Sequence, residues 1–455
     1  MTAPFPRGAR AFLAYAAPTV ASCLCNSAFR VNDQFWVGAL GKDAQAALGA
    51  ATFVMVLNYA LYFLAVAGSV SKVARATGAR DAKGQGRAIQ HGLALSTAIA
   101  VLVGFAGYRL APLLIATMGL EGGVAQAALE YIRTMYALAL PLALAPLIDN
   151  IFIALGDTRT PLKLQVLAIV SNFVMNPLLI YGGLPGEPVE VWLGVPGAAL
   201  ATGASRALAV LVGLVVLARR EHIPLWPRYQ IHLRELLHTM RTGLPSSASI
   251  SIYAFVYLAL TKRVFAELPK EALAGFGIGF NAFEAVSYPS FLGLALAGGG
   301  LVGRALGAGD HELAWQQVRL TRRVAVGFGL LSVLAFWGLG PILIPAFTRE
   351  ADVQAAALIY VQILAFSQPF VALETSSENV LVGSGYTRPI FWITVPGNLA
   401  RVPLGIWMAL RMGWGAPGLW WAINLTSMVK ALVMFALVQR GRWSVHSDHG
   451  HRSDP

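Results

Sequence analysis

Twelve predominantly apolar stretches, each long enough to cross a bilayer as a helix, follow one another along this 455-residue chain. They run at about 11–38, 46–70, 88–112, 126–155, 162–182 and 195–218. After a polar interval they resume at about 243–265, 272–302, 319–346, 354–382, 389–410 and 416–438. A helix needs roughly 20 apolar residues to cross a hydrocarbon core, so twelve crossings use about 240 residues and leave short connections. Lipid offers the backbone no hydrogen-bond partners, so each segment must satisfy its own amides, and the expected fold class is an all-α membrane protein. Composition closes off the soluble alternative. Hydrophobic residues make up 56% of the chain and charged residues 12%, against roughly 25% charged in a soluble domain. The segment behind Arg7 and Arg10 is longer than the short apolar core of a signal peptide, so the first helix is expected to be retained rather than cleaved.

The formal charge of +12 does not imply a nucleic-acid partner, because the basic residues cluster in alternate connections. The dense set is Arg7 and Arg10, then Lys72 to Arg87, Arg219 to Arg241, Arg304 to Arg323, and finally Arg440 with Arg442. The intervening stretch 183–194 holds Glu187 and Glu190 but no base. By the positive-inside rule both termini are expected in the cytoplasm, with the chain in a cytoplasmic (inner) membrane. Cys23 and Cys25 stand too close for an ordinary disulfide and are too few for structural zinc.

The chain also repeats itself. LGKDAQAALG at 40–49 matches LPKEALAGFG at 268–277, and VARATGARD at 73–81 matches VGRALGAGD at 302–310. EYIRTMYALALP at 130–141 resembles IYVQILAFSQP at 359–369, and GDTRTP at 156–161 echoes GSGYTRP at 383–389. NFVMNP at 172–177 matches NLARVP at 398–403, and GVPGAALA at 194–201 matches GAPGLWWA at 415–422. Six landmarks in one order argue for a duplicated unit. Six crossings per half bring both halves in from the same side, so two six-helix lobes related by a pseudo-two-fold along the membrane normal are expected. The division read from sequence is an N-lobe at 1–218, a cytoplasmic linker at 219–242, a C-lobe at 243–440 and a tail at 441–455. Part of the linker (HIPLWPRYQIHLRELLH) has the pattern of an amphipathic surface helix.

These landmarks resemble the multidrug and toxic compound extrusion family over nearly the whole chain. The resemblance rests on Asp33 to Gly41, Gly156 to Pro161, Asn172 to Gly182, Gly194 to Thr202, Val302 to Asp310 and Gly383 to Pro389. It implies export of small organic compounds driven by sodium or protons. The pattern is closest to the branch with bacterial DNA-damage-inducible and archaeal members. There an Asp at the position of Asp33 belongs to a cation site that also draws on positions matching Asn172, Asn176 and Thr202. Asn172 and Asn176 are four apart and share a helix face, so both can point toward Asp33. Two departures stand out: Asn176 replaces a frequent Asp, and Arg30 stands where the pattern has Asn. An Arg30–Asp33 pair would keep Asp33 ionised and favour protons over sodium as the coupling ion. Equally, the pair could be a simple ion pair at a helix end.

An ionisable group at the centre of a membrane helix costs about 2.5–3.5 kcal/mol to insert, so each one calls for a reason. Asp149, Glu284, Glu374 and Glu378 are such groups, offered here as substrate ligands with Tyr253 and Tyr257 as aromatic faces for an organic cation. Phe280, Phe283 and Tyr288 are weaker candidates of the same kind. Against this, Glu374 and Glu378 could satisfy backbone groups or pair with Arg388. Arg75 and Arg304 fall at equivalent repeat positions and read as clamps, and Pro18, Pro177, Pro196 and Pro245 as points of bending. His446, His449 and His451 read as a solvated tail. Gly298, Gly299 and Gly300 lack the Lys-Ser/Thr of a P-loop, so ATP is not expected as the energy source. No cofactor or metal is expected beyond H+ or Na+ as coupling ion, and no enzymatic activity. The partners expected are a small organic substrate and the lipid bilayer, with the chain acting as a monomer. Two rivals remain: a lipid-linked oligosaccharide flippase, which needs a basic cleft where this chain places its bases in loops, and a membrane-embedded enzyme.

Overall fold

The computed structural model describes residues 4–118, 120–183, 191–220 and 229–445. Glu187, Glu190, the first part of the linker peptide and the histidine-bearing tail lie outside them. Among the described residues every regular element is helical. The first half holds α1 (Ala9–Gly38), α2 (Lys42–Gly78), α3 (Ala82–Thr117), α4 (Gly122–Ala137), α5 (Ala139–Leu155), α6 (Arg159–Tyr181) and α7 (Val195–Arg220). The second holds α8 (Leu233–Arg263), α9 (Lys270–Gly279), α10 (Ala285–Gly307), α11 (His311–Leu343), α12 (Ala351–Ala365) and α13 (Gln368–Ser384). It ends with α14 (Arg388–Leu399), α15 (Arg401–Gly405), α16 (Gly415–Gln439) and α17 (Arg442–Val445).

Nine of the described helices or continuous helical runs are long and apolar enough to cross a membrane, and the bent pairs α4–α5 and α12–α13 make eleven. The remaining expected segment, at about 389–410, is helical but interrupted, as α14, α15 and a π-turn at Ile406–Arg411, with Pro396 and Pro403 inside it. The two bends, 58° and 52°, have one cause. Pro141 and Pro369 have no amide hydrogen to give the carbonyls of Ala137 and Ala365, the last residues of α4 and α12. Exposed apolar side chains along α3 (Val101, Leu102, Phe105) and α11 (Leu330, Leu334, Ile342) face outward, as lipid contact requires.

Several of the repeated peptides turn out to be helix ends. Asp81 and Asp310 cap α3 and α11, accepting from the amides of Gly84 at 2.9 Å and Leu313 at 2.8 Å. Gly156 and Gly385 close α5 and α13 with φ of 89° and 76°, a conformation that favours glycine. Asp157 then accepts from the amides of Arg159 and Thr160, both at 3.0 Å, and starts α6. The glycine run at 298–300 is a packing seam: a Cβ on Gly299 would come within 2.5 Å of the Asn379 carbonyl.

Packing divides the chain into two compact units. The N-unit comprises Cys25–Ala76 and Asp81–Ser247, and the C-unit comprises Met1–Leu24, Thr77–Arg80 and Ala248–Pro455. The unit boundaries therefore fall inside α1 and α8, and around the end of α2. In the C-unit Phe12 and Ala16 of α1 are fully buried among Phe291, Leu294 and Leu301. In the N-unit Leu236 and Met240 of α8 pack against a cluster that includes Tyr62, Leu95 and Ile99. The second part of the linker peptide is thus the opening of α8, continuous with the seventh expected segment, rather than a separate surface helix.

Candidate functional site

The N-unit buries a polar network on α1, α6 and α7. Asp33 is 5% exposed. Its Oδ1 accepts from Asn176 Nδ2 at 2.9 Å and its Oδ2 from the Thr202 hydroxyl at 2.9 Å. Thr202 Oγ1 in turn accepts from Asn172 Nδ2 at 3.1 Å, Asn172 Oδ1 from Asn32 at 2.8 Å, and Asn32 Oδ1 from the Trp36 indole at 3.1 Å. Every donor in this series points toward the carboxylate. Helix periodicity explains the convergence: Asn172 and Asn176 lie one turn apart on one face of α6, and Asn32 and Trp36 one turn apart on α1. Asn176 Oδ1 is left as a buried acceptor without a hydrogen-bond partner, an uncommon situation for a native interior. Asp33, Asn172, Asn176 and Thr202 are therefore brought together, and Asn172 reaches Asp33 through Thr202.

Arg30 is not part of this network. Its side chain is exposed, and no Arg30–Asp33 ion pair is present. Three residues along a helix put two side chains on neighbouring lines, and here the line of Asp33 turns into the unit while that of Arg30 turns out. The base that matters is Arg206, which composition alone did not single out. Its Nη1 donates to Gln165 Oε1 at 2.9 Å, its Nη2 donates to Asn26, and its guanidinium lies 4.0 Å from the centroid of the Phe29 ring. Gln165 Nε2 donates to Asp149 Oδ2 at 2.5 Å. Asp149, read from sequence as a substrate ligand, is thus tied to Arg206 through one amide. The readable signal was spacing: Arg206 follows Thr202 by one turn of α7.

The C-unit carboxylates are also partnered. Glu374 on α13 forms a 2.7 Å ion pair with Lys430 of α16, with side chains 12% and 6% exposed. Arg388, the partner considered from sequence, is exposed. The Glu378 carboxyl has no side-chain hydrogen bond among the described residues, but both Glu374 and Lys430 act on it electrostatically. Glu284 sits at the end of a π-helical turn, Phe280–Glu284, and accepts from the Tyr360 hydroxyl. Arg401 is 4% exposed and donates to Thr426 at 3.2 Å and Ser427 at 2.9 Å. Its guanidinium lies 5.5 Å from the Tyr253 ring and 5.9 Å from the Tyr257 ring, and those two rings are 4.7 Å apart. Tyr253 and Tyr257 therefore face a resident cation. The expectation that bases are confined to the connections fails for Arg206, Arg401 and Lys430, because a buried base can be held by carboxylates, hydroxyls and aromatic faces inside a helical unit.

Long apolar helices arranged as two internally similar units, with charged side chains locked inside each, define a polytopic membrane transporter. The chain matches the MatE family over residues 18–178 and 245–407 and belongs to that family. It is 28% identical over 448 residues to the probable multidrug resistance protein NorM of Pseudomonas aeruginosa, covering 93% of this chain and 87% of that one. It is 22% identical over 425 residues to the probable multidrug resistance protein YpnP of Bacillus subtilis, covering 91% of each. Among solved structures it resembles the outward-facing conformation of a multidrug resistance MATE family transporter of the MOP superfamily. That likeness has a TM-score of 0.88 at 22% identity and covers 98% of this chain and 99% of that one. It likewise resembles a MOP superfamily transporter from Pyrococcus furiosus whose reversed pocket polarity suggests a different function, with a TM-score of 0.83 at 22% identity over 98% of this chain and 99% of that one.

Proposed function

We propose that this chain exports small amphipathic organic compounds as a proton-coupled antiporter, working by alternating access. Asp33 carries the reading. It is a buried carboxylate whose oxygens take only neutral donors, beside the orphaned acceptor Asn176 Oδ1. A proton arriving at Oδ2 competes with the Thr202 hydrogen, and a hydroxyl can rotate to accept instead of donate. The Thr202 hydrogen then has to turn to another acceptor, which links the charge on Asp33 to the packing of α1, α6 and α7. A difference of two pKa units between two conformations corresponds to about 2.7 kcal/mol of coupling, within the usual 1–3 kcal/mol for linked sites. Multidrug resistance in the relatives' names supports the substrate class. The charge clusters in the connections support termini on the cytoplasmic side of the inner membrane.

The test is transport of a fluorescent organic cation in proteoliposomes under an imposed pH or sodium gradient, comparing wild type with Asp33→Asn. Proton-driven transport abolished by the substitution is the expected result. Transport that survives the substitution, or that only sodium drives, removes Asp33 as the proton site.

A second reading is favoured by Arg206, Arg401 and Lys430, buried or part-buried inside the helices. A substrate bearing an anionic group, such as a lipid-linked sugar, would find bases there. Vesicle flipping of a fluorescent lipid-linked pyrophosphate without any ion gradient would favour it. Buried bases already engaged by Glu374, Gln165 and Asn26 make it the weaker of the two.

A further inference from the structure

Arg206 touches neither of the carboxylates that most need a counter-charge. It stands one turn beyond Thr202, the hydroxyl that donates to Asp33, and one amide away from Asp149, through Gln165. The orientation of Gln165 is determined: its carbonyl must face the guanidinium and its NH2 the carboxylate, since a flip would set donor against donor and acceptor against acceptor. The Phe29 face and Asn26 hold the opposite side of the guanidinium. Arg206 also acts electrostatically on both carboxylates. The other titratable groups facing this trio are Tyr59, which acts on Arg206, and Tyr131, on which Asp33 acts. Asp33 lies on α1, Tyr59 on α2, Tyr131 on α4 and Asp149 on α5.

We infer that Arg206 is a resident counter-cation shared by Asp33 and Asp149, held between them by Gln165 and Asn26 so that the trio exchanges a single proton as a unit. With both carboxylates ionised the three groups carry one net negative charge, and one proton neutralises them. A low-dielectric interior penalises any other total. A bound sodium ion would have to share the site with a tethered guanidinium, which is why the trio favours protons. Arg206 is accordingly a positioning residue, acting through the carboxylates rather than on substrate. This inference rests on the proton reading of Asp33.

The second half carries a related device. Glu378 occupies the repeat position of Asp149, each followed by an asparagine and each ahead of a Thr-Arg pair. Lys430 on α16 supplies the cation there, bonded to Glu374 and acting on Glu378.

The test is the pH dependence of gradient-driven transport in proteoliposomes, with and without sodium, for wild type, Arg206→Gln, Arg206→Lys and Asp149→Asn. Losing the guanidinium leaves two carboxylates uncompensated, so Arg206→Gln is expected to move the midpoint up by about one pH unit and to introduce a sodium response. Losing one carboxylate leaves Asp33 with the whole guanidinium, so Asp149→Asn is expected to move the midpoint down by a similar amount. Arg206→Lys keeps the charge and is expected to keep the midpoint at a reduced rate. A purely structural arginine would lower the rate in every variant without opposite shifts. Midpoints that stay at the wild-type value, or move in one direction together, overturn the inference while leaving proton coupling intact. A wild type driven by sodium alone overturns the proton reading and this inference with it. If Arg206→Gln does not fold, Asp149→Asn and Arg206→Lys still decide, because a shared guanidinium requires a downward shift in the first and none in the second.

Discussion

Asp149 and Glu378 stand at the same step of α5 and α13, each directly before an asparagine and about two turns before the left-handed glycine that ends the helix. The asparagines behave alike: Asn150 Nδ2 donates to the Pro146 carbonyl at 2.9 Å and Asn379 Nδ2 to that of Thr375 at 3.0 Å. The duplication thus preserves helix bend, helix end and the placement of one carboxylate, while the partnering base has moved along the last long helix of each half.

The glycines closing these helices set a first prediction. Gly156→Ala and Gly385→Ala force a Cβ into the left-handed region, at about 1–2 kcal/mol each. We expect each substitution to lower the melting temperature in detergent. An unchanged midpoint would falsify the assignment of these glycines as obligatory helix ends.

Asn176→Asp sets a second carboxylate beside Asp33, where Asn176 now donates at 2.9 Å. Two carboxylates in one site resist ionising together, so the pair should hold a proton to higher pH. The pH midpoint of gradient-driven transport is expected to rise by roughly one unit or more. A profile superimposable on wild type would mean that Asn176 and Asp33 are not electrostatically joined.

Lys430→Met strands Glu374 in the C-unit interior, and breaking a buried pair by removing one partner costs about 3–5 kcal/mol. Changing both residues, as Lys430→Met with Glu374→Leu, should recover much of that loss. Thermal unfolding of the two variants checks this. A double variant no more stable than the single one would show that the pair is not the origin of the loss.

Gly383 and Gly277 offer a contrast in packing. A Cβ on Gly383 would lie 2.1 Å from the Gly299 carbonyl oxygen, whereas one on Gly277 meets nothing within 4 Å. Gly383→Ala is expected to cost about 1–3 kcal/mol through overpacking. Gly277→Ala should be neutral or stabilising by up to about 1 kcal/mol, from helix propensity. Equal melting temperatures for the two would contradict the close approach of α10 and α13.

The sequence by itself determined the class and the repeat. Runs of apolar residues cannot leave lipid-facing amides unpaired, so they are helices, and caps such as Asp81, Asp310, Gly156 and Gly385 act within a few residues of where they stand. Local chemistry of that kind is legible without a third dimension. Asp33, Asn172, Asn176 and Thr202 came from a resemblance, and the structure gathers them by helix facing. What only tertiary structure decided is which charges meet. Arg30 stands three residues from Asp33 yet turns away, while Arg206, 173 positions further on, lies within its electrostatic reach. Lys430 pairs with Glu374 across 56 positions. The same holds for the compact units, whose boundaries inside α1 and α8 follow which side chains are buried together rather than chain order. Spacing along a helix says which face a side chain shares, but the direction of that face is set by neighbours brought from distant parts of the chain.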